Sequence, residues 1–276
     1  MVRFSICNEM FQGWPLEKVF SYVSELGYHG VEIAPFTLAD SVTEISKRQR
    51  EEILEQAKSY GIDIVGIHWI LVKPEGLHIT HPDPDIRRRT EEYIKRLVEF
   101  CGDLEARIIV FGSPKQRNVL PGISYERAWN YAKEIFRRCS EYAEDYGVII
   151  CIEPLSRDQT NFINNAEEAI KLIEDVNHPN FRLILDVRSM SKEERSIPDT
   201  IRRSRKYLAH FHANDDNGLG PGFGSVDWYA VARALKEINY NGYASVEVFD
   251  FSLGAEYIAS KSLENLRKFF SLKEGE

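Results

Sequence analysis

The sequence is poor in several features that settle a protein's class at a glance. Four of its 276 residues are cysteine, and Cys7, Cys101, Cys139 and Cys151 show no C-x-x-C spacing, which excludes a disulfide framework and a cysteine-built zinc site. No apolar run reaches the roughly eighteen residues that a membrane helix needs. Met1 to Cys7 leads straight into a strand-like pattern instead of a basic stretch and an apolar signal core. Neither export nor a membrane partner is expected, and the setting read is cytoplasmic. Positive charge is also short: a net charge of -8 leaves no general basic surface for phosphate contacts, so nucleic acid is not an expected partner. A nucleotide-type glycine fingerprint is missing too. The candidate "GLGPGFG" carries Pro221 and runs into "SVDW" rather than into a helix whose first amides would hold a phosphate, and reads as a shaped loop.

What is present is an ordinary globular balance, 43% hydrophobic and 28% charged, with no composition break, so residues 1–276 read as one domain. Short β-branched runs alternate with longer amphipathic segments. Strands are expected at Arg3 to Cys7, Gly30 to Ala34, Ile62 to His68, Arg107 to Gly112, Val148 to Glu153, Arg182 to Asp186, Leu208 to His212 and Tyr243 to Val248. Helical patterns such as "SYERAWNYAKEIFRRCSEYAEDYG" fill the gaps, with Pro15 expected at a first helical position and Gly27, Gly61 and Gly147 after last turns. Eight βα units in this length predict an α/β protein, a closed (β/α)8 or TIM barrel. A doubly wound open sheet is the alternative architecture.

In such a barrel the C-terminal ends of the strands converge on one mouth. Strand five ends in Glu153, six in Asp186 and seven in His212, while strand eight contains Glu247. Three carboxylates and one imidazole facing one spot repel and resist burial unless a cation neutralises them. A divalent metal is therefore expected, manganese favoured by the oxygen-rich set, with cobalt, magnesium or zinc as alternatives. The competing reading of each carboxylate is a helix cap or an ion pair, and four polar endings on consecutive strands weigh against it.

His210, two residues before His212 on the same face, is expected to be hydrogen-bonded in the core. Glu32, His68 and Trp69, after strands two and three, are candidate substrate contacts, Trp69 as an apolar wall against a sugar face and His68 also as a support for a ligand. Lys115 and Arg117 either read a phosphate or carboxylate or are solvated loop charges. His78 and His81 lie in a long loop of the kind that covers a barrel mouth. The aromatic residues of "WNYAKEIFRRCSEY" recur at helical spacing and point to helix packing or to subunit packing in a homodimer or homotetramer.

The series "IEPLSRDQTNFINN", "LILDVRSM", "HFHANDDNGLGPGFGSVDW" and "GYASVEVF", with "FSICNEMF" and "VFGSPKQRN" earlier, resembles the xylose-isomerase-like TIM barrel superfamily of sugar isomerases and epimerases. The branch it resembles is that of the D-tagatose and D-psicose 3-epimerases. The resemblance implies that Glu153 and Glu247 both ligate the metal and exchange the substrate proton, and that Asp186 and His212 ligate it. The reaction implied is a metal-assisted enediolate chemistry on a small sugar or sugar acid. Proton return to the same carbon gives epimerisation, and return to the neighbouring carbon gives aldose–ketose isomerisation. Arg157 of the strand-five motif is retained. Three substrate-contacting positions depart from the pattern: Ser189 stands for a histidine, Gly218 for an arginine and Gln159 for a glutamate.

Other readings remain at this stage. Inosose dehydratase-like and hydroxypyruvate isomerase-like enzymes share the barrel. Endonuclease-IV-like hydrolysis of abasic DNA would need more mouth histidines than seven in the whole chain supply, and a basic groove. A barrel that binds a metabolite without turning it over would need the four ligands to close the coordination sphere.

Overall fold

The computed structural model describes residues 1–271. Its strands are β1 (Arg3–Cys7), β2 (Gly30–Ile33), β3 (Asp63–Ile67), β4 (Ile108–Phe111), β5 (Ile149–Ile152), β6 (Phe181–Asp186), β7 (Leu208–Ala213) and β8 (Tyr243–Val246). Each pairs in parallel with its sequence neighbour, and β1 pairs with β8, closing the barrel. The helices between them are α1 (Leu16–Leu26), α2 (Lys47–Ser59), α3 (Pro84–Asp103), α4 (Tyr125–Glu144), α5 (Ala166–Val176), α6 (Val187–Met190), α7 (Ile197–Arg203), α8 (Trp228–Glu237) and α9 (Ala255–Phe270). The TIM-barrel expectation holds and the open sheet does not. No helix among the described residues is long and apolar enough to cross a membrane.

Local signals explain where the elements begin and end. Ser46 and Gln49 form a reciprocal capping box at the start of α2, and Ser124, Asn165 and Asp227 cap α4, α5 and α8 through their side chains. Gly27 ends α1 in the left-handed conformation. Pro15 sits one residue earlier than the sequence predicts, just outside α1. Several strands end one or two residues earlier than predicted, so Glu153 and Glu247 lie immediately beyond β5 and β8.

The period of two in the strands divides their side chains between two cores. Outward residues such as Phe111, Phe181 and Phe211 pack under the helices, and Phe136 of α4 stacks on Phe181 with ring centroids 4.6 Å apart. Inside the barrel the apolar filling is small: Ile108, Val110, Cys151 and Ile184 form a separate cluster from β4, β5 and β6. The opposite inner wall is polar. Ser5 and Ser245 share a hydrogen bond, and Ser245 reaches His210 at 3.4 Å. A barrel half filled with polar groups spends packing on hydrogen bonds, and those bonds lead up to the mouth.

Candidate active site

Backbone pairing delivers four polar side chains to one place. Glu153 donates its N–H to Phe111 O at 3.1 Å and Glu247 donates to Ala213 O at 3.3 Å, so each still rides the barrel ladder one residue past its strand. Asp186 ends β6 and caps α6, accepting the Ser189 N–H at 2.7 Å through Oδ1, while Oδ2 accepts from the Asn214 amide. One donor atom from each of Glu153, Asp186, His212 and Glu247 lies within 4.8 Å of the others, and all four residues are buried. Gly112, just after β4, keeps this arrangement open, because a Cβ there would run into Glu153 Oε2.

The electrostatics of the cluster are unbalanced. Burial, then the charges of Glu247 and Asp186, push Glu153 well above the ordinary carboxylate range. Burial and Glu247 raise Asp186 as well. Burial also acts to raise Glu247, but His212, His68 and the Trp69 indole outweigh it and hold the carboxyl low. Burial disfavours charge on His212, yet Glu247 and Glu32, each 3.0 Å from a ring nitrogen, raise its pKa well above the ordinary value. Buried carboxylates forced toward protonation by one another are the donor set that a divalent cation relieves, so these residues fit a metal. His212 Nδ1 faces Glu247 and the cluster, while Nε2 is held by Glu32 Oε1, an arrangement that would fix the ring's tautomer and direction.

Glu32 therefore sits below the cluster rather than at the mouth. It is fully buried between His210 Nε2 at 2.6 Å and His212 Nε2 at 3.0 Å, and its pKa is low because the two imidazoles outweigh burial. His210 is hydrogen-bonded in the core, as its depth in the strand predicts. His68 is buried too, bonded through Nε2 to Glu9 Oε2 at 2.7 Å, with Nδ1 3.7 Å from Glu32 Oε1. Trp69 stands at the rim and donates its indole N–H to Glu247 Oε1 at 2.9 Å.

Glu9 is the site residue that sequence reasoning missed. It follows β1 in a single 3-10 turn, is buried, and leaves Oε1 without a hydrogen-bond partner. With His68 and Glu247 it forms a second compact group of donors. Its one sequence signal is position, directly after a strand end in "FSICNEMF". Beside it opens a cavity of 690 Å³ lined by Glu9, Gln12, Trp14, Phe36, Trp69 and Phe251 among others, with no lysine, arginine or histidine in the lining.

The remaining expected residues fall elsewhere. Arg157 and Gln159 lie in the loop after β5, beside a separate cleft of 660 Å³ shared with residues 118–123. Ser189 is buried on α6, with its backbone on Asp186. Arg117 is no solvated loop charge: it is fully buried and donates to the carbonyls of Gly112, Glu153, Phe162 and Ile163 at 2.7–3.0 Å, tying the β4 and β5 loops together. Those bonds leave no room for the phosphate or carboxylate it was a candidate to read. The loop carrying His78 and His81 is pinned, with Ile79 N–H on Gln116 O and Thr80 Oγ1 on Asn118 O.

Comparison with known proteins agrees with this geometry. The D-psicose 3-epimerase of Ruminiclostridium cellulolyticum is 30% identical over 229 residues, 82% of this chain and 76% of that protein. The 3-dehydro-D-guloside 4-epimerase of Escherichia coli is 26% identical over 237 residues, covering 84% of this chain and 86% of that one. A crystal structure of D-psicose 3-epimerase with D-tagatose from Clostridium cellulolyticum superposes with a TM-score of 0.87 at 26% identity, covering 98% of this chain and 100% of that one. The family model for the xylose isomerase-like TIM barrel matches residues 20–269, so the chain belongs to that family, as an enzyme of its isomerase and epimerase group.

Proposed function

We propose that the chain is a divalent-metal-dependent ketose 3-epimerase-like enzyme that exchanges a carbon-bound proton through an enediolate. The observation that carries this reading is geometric: Glu153 and Glu247, from the ends of β5 and β8, meet with Asp186 and His212 in one buried group whose donor atoms all lie within 4.8 Å of one another. Proton abstraction on one side of a carbon and return on the other needs two proton-exchanging groups, and two carboxylates of one cluster supply them. We assign metal ligation to Glu153, Asp186, His212 and Glu247, with manganese favoured by three oxygens and one nitrogen. A divalent cation held there would supply Lewis-acid polarisation of the ketose carbonyl and would stabilise negative charge developing on its oxygens. Glu247 takes the proton at carbon 3 and Glu153 gives one back from the opposite side, with the roles exchanged in the reverse direction. Trp69 and His212 hold Glu247 in place during the exchange.

A neutral sugar is the substrate class that the cavity beside Glu9 and Trp69 favours. The cavity beside Trp69 offers aromatic faces and one carboxylate, with no lysine, arginine or histidine among its lining residues, which suits the body of a neutral sugar. The relatives named for D-psicose and ketose 3-epimerisation support the same class. A cytoplasmic setting is supported by four buried, unpaired cysteines.

The test is solvent exchange. The manganese-loaded protein is incubated in deuterated water with ketoses, keto-uronates and sugar phosphates, the metal is chelated, and carbon-bound deuterium is located by NMR. Deuterium at carbon 3 of a neutral ketose, together with its epimer, is the expected result. Label at carbon 1 would make the enzyme an aldose–ketose isomerase, and no label in any substrate would overturn proton-exchange chemistry.

A further inference from the structure

The loops that leave three of the four proposed ligands meet at one side chain. Arg188 comes two residues after Asp186, and its backbone N–H is held by Asn214 Oδ1 at 2.8 Å. Phe249 comes two residues after Glu247, and the Arg188 guanidinium lies over its ring, 4.8 Å from the centroid. Gly218 comes six residues after His212 with φ 80°, and its carbonyl accepts the Phe249 N–H at 2.8 Å. A Cβ built on Gly218 would stand 3.6 Å from Phe249 Cβ and 3.7 Å from Arg188 Nε, both ordinary contact distances, so Arg188 packs beside Gly218, and it is the positive φ that favours glycine there.

This guanidinium is half-buried and has no carboxylate within ion-pair distance among the described residues. It differs in this from Arg117, whose donors are used up on carbonyls, and from Arg195, which pairs with Glu167 and Asp199. Stacking on Phe249 fixes its plane without consuming its N–H groups. Phe249 in turn lies 6.3 Å from the Trp69 ring, which donates to Glu247. A planar cation with no side-chain hydrogen-bond partner among the described residues is thus linked through Phe249 and Trp69 to Glu247.

We propose that Arg188 is a substrate-binding guanidinium of this site, taking a pair of adjacent substrate oxygens. Gly218 stands where the 3-epimerase pattern carries arginine, and Arg188 of α6 packs beside it. The inference rests on the reading of the site as a keto-sugar enzyme. It adds a substrate contact that comes from the segment after β6.

The test compares the manganese-loaded wild type with Arg188→Ala and Arg188→Lys, using D-psicose as the probe. Measured are kcat, KM, the calorimetric dissociation constant, metal affinity and thermal midpoint. Arg188→Ala is expected to raise KM and the dissociation constant by about tenfold or more, the effect of losing charged hydrogen bonds, while metal affinity and midpoint stay at wild-type values. Arg188→Lys, which keeps the charge without the fork, is expected to fall between. KM and binding within about twofold of wild type in Arg188→Ala would overturn the assignment, leaving Arg188 as a surface arginine stacked on Phe249. If the wild type turns over no ketose, the epimerase reading fails separately. The binding measurement then decides this one: loss of D-psicose binding on Arg188→Ala supports it, and equal or absent binding in both proteins overturns it.

Discussion

Trp69 donates its indole N–H to Glu247 Oε1 across 2.9 Å, and it does so from a backbone at φ 52° that an aromatic residue seldom adopts. A left-handed conformation at a non-glycine residue costs on the order of 1 kcal/mol, and here it aims an aromatic donor at a proposed proton-transfer group. Replacement by phenylalanine keeps the ring in the rim and removes the donor. Since that bond helps hold Glu247 ionised, its loss raises the pKa of the base, and the acidic limb of the pH–rate profile moves to higher pH. Trp69→Phe is expected to lower kcat/KM at neutral pH by about tenfold. An unmoved acidic limb would show that the indole serves packing alone.

Glu32 supports the cluster from beneath, so its effect belongs to the metal and not to the sugar. With His212 Nε2 at 3.0 Å and His210 Nε2 at 2.6 Å, its carboxylate fixes both rings. Glu32→Gln keeps the volume and removes the charge that makes His212 a strong donor. Manganese affinity is expected to fall by about 10- to 100-fold by calorimetry, with KM for sugar at saturating metal changed far less. Equal metal affinity in the variant would place Glu32 in barrel packing only.

Much of this site was legible because strand ends in a βα barrel are positions with a known destination. Glu153, Asp186, His212 and Glu247 could be read off as neighbours once eight strands were counted, since parallel closure brings their ends together whatever lies between. Loop residues carry no such address. Arg117 reads as a solvated charge in "GSPKQRN" because nothing local reveals the carbonyls of Phe162 and Ile163, which reach it from 45 and 46 residues away. Glu32 looked like a mouth residue because it stands near a strand end, yet its neighbours on β7 close over it. Gly218 reads as a missing arginine for the same reason: the chain shows which residue is absent, and only the packing shows that Arg188 and Phe249 lie beside it.

Arg117 makes a stability prediction independent of function. Its guanidinium is fully buried, and burial brings its pKa down to about 10, so it remains charged at neutral pH. Four carbonyls from the loops after β4 and β5 depend on it at 2.7–3.0 Å. Arg117→Met fills the volume but leaves those oxygens without their donor. A loss of about 3 kcal/mol or more in urea unfolding is expected, above the range of a surface substitution. Arg117→Lys, with fewer donors and no fork, is expected to recover only part of it. A loss under about 1 kcal/mol in the methionine variant would mean that water takes over the carbonyls.

Glu193 carries a pH dependence of stability that lies outside the proposed chemistry. It stands in the loop between α6 and α7, where burial pushes its carboxyl up to about 7 despite a hydrogen bond from the Ala166 amide and the nearby charge of Arg195. The folded protein binds this proton more tightly than the unfolded chain, whose carboxyl titrates near 4.5. Folding is therefore favoured by the proton below that value, and the advantage is lost as pH rises through about 7, where the folded protein must hold a partly buried charge. Glu193→Gln keeps the shape and cannot ionise. Its thermal midpoint is expected to match wild type near pH 4.5 and to exceed it by about 2–4 °C at pH 8, the scale of a kcal/mol-sized change in a chain of this length. Parallel midpoint curves for the two proteins between those pH values would show that the folded carboxyl titrates as it does in the unfolded chain.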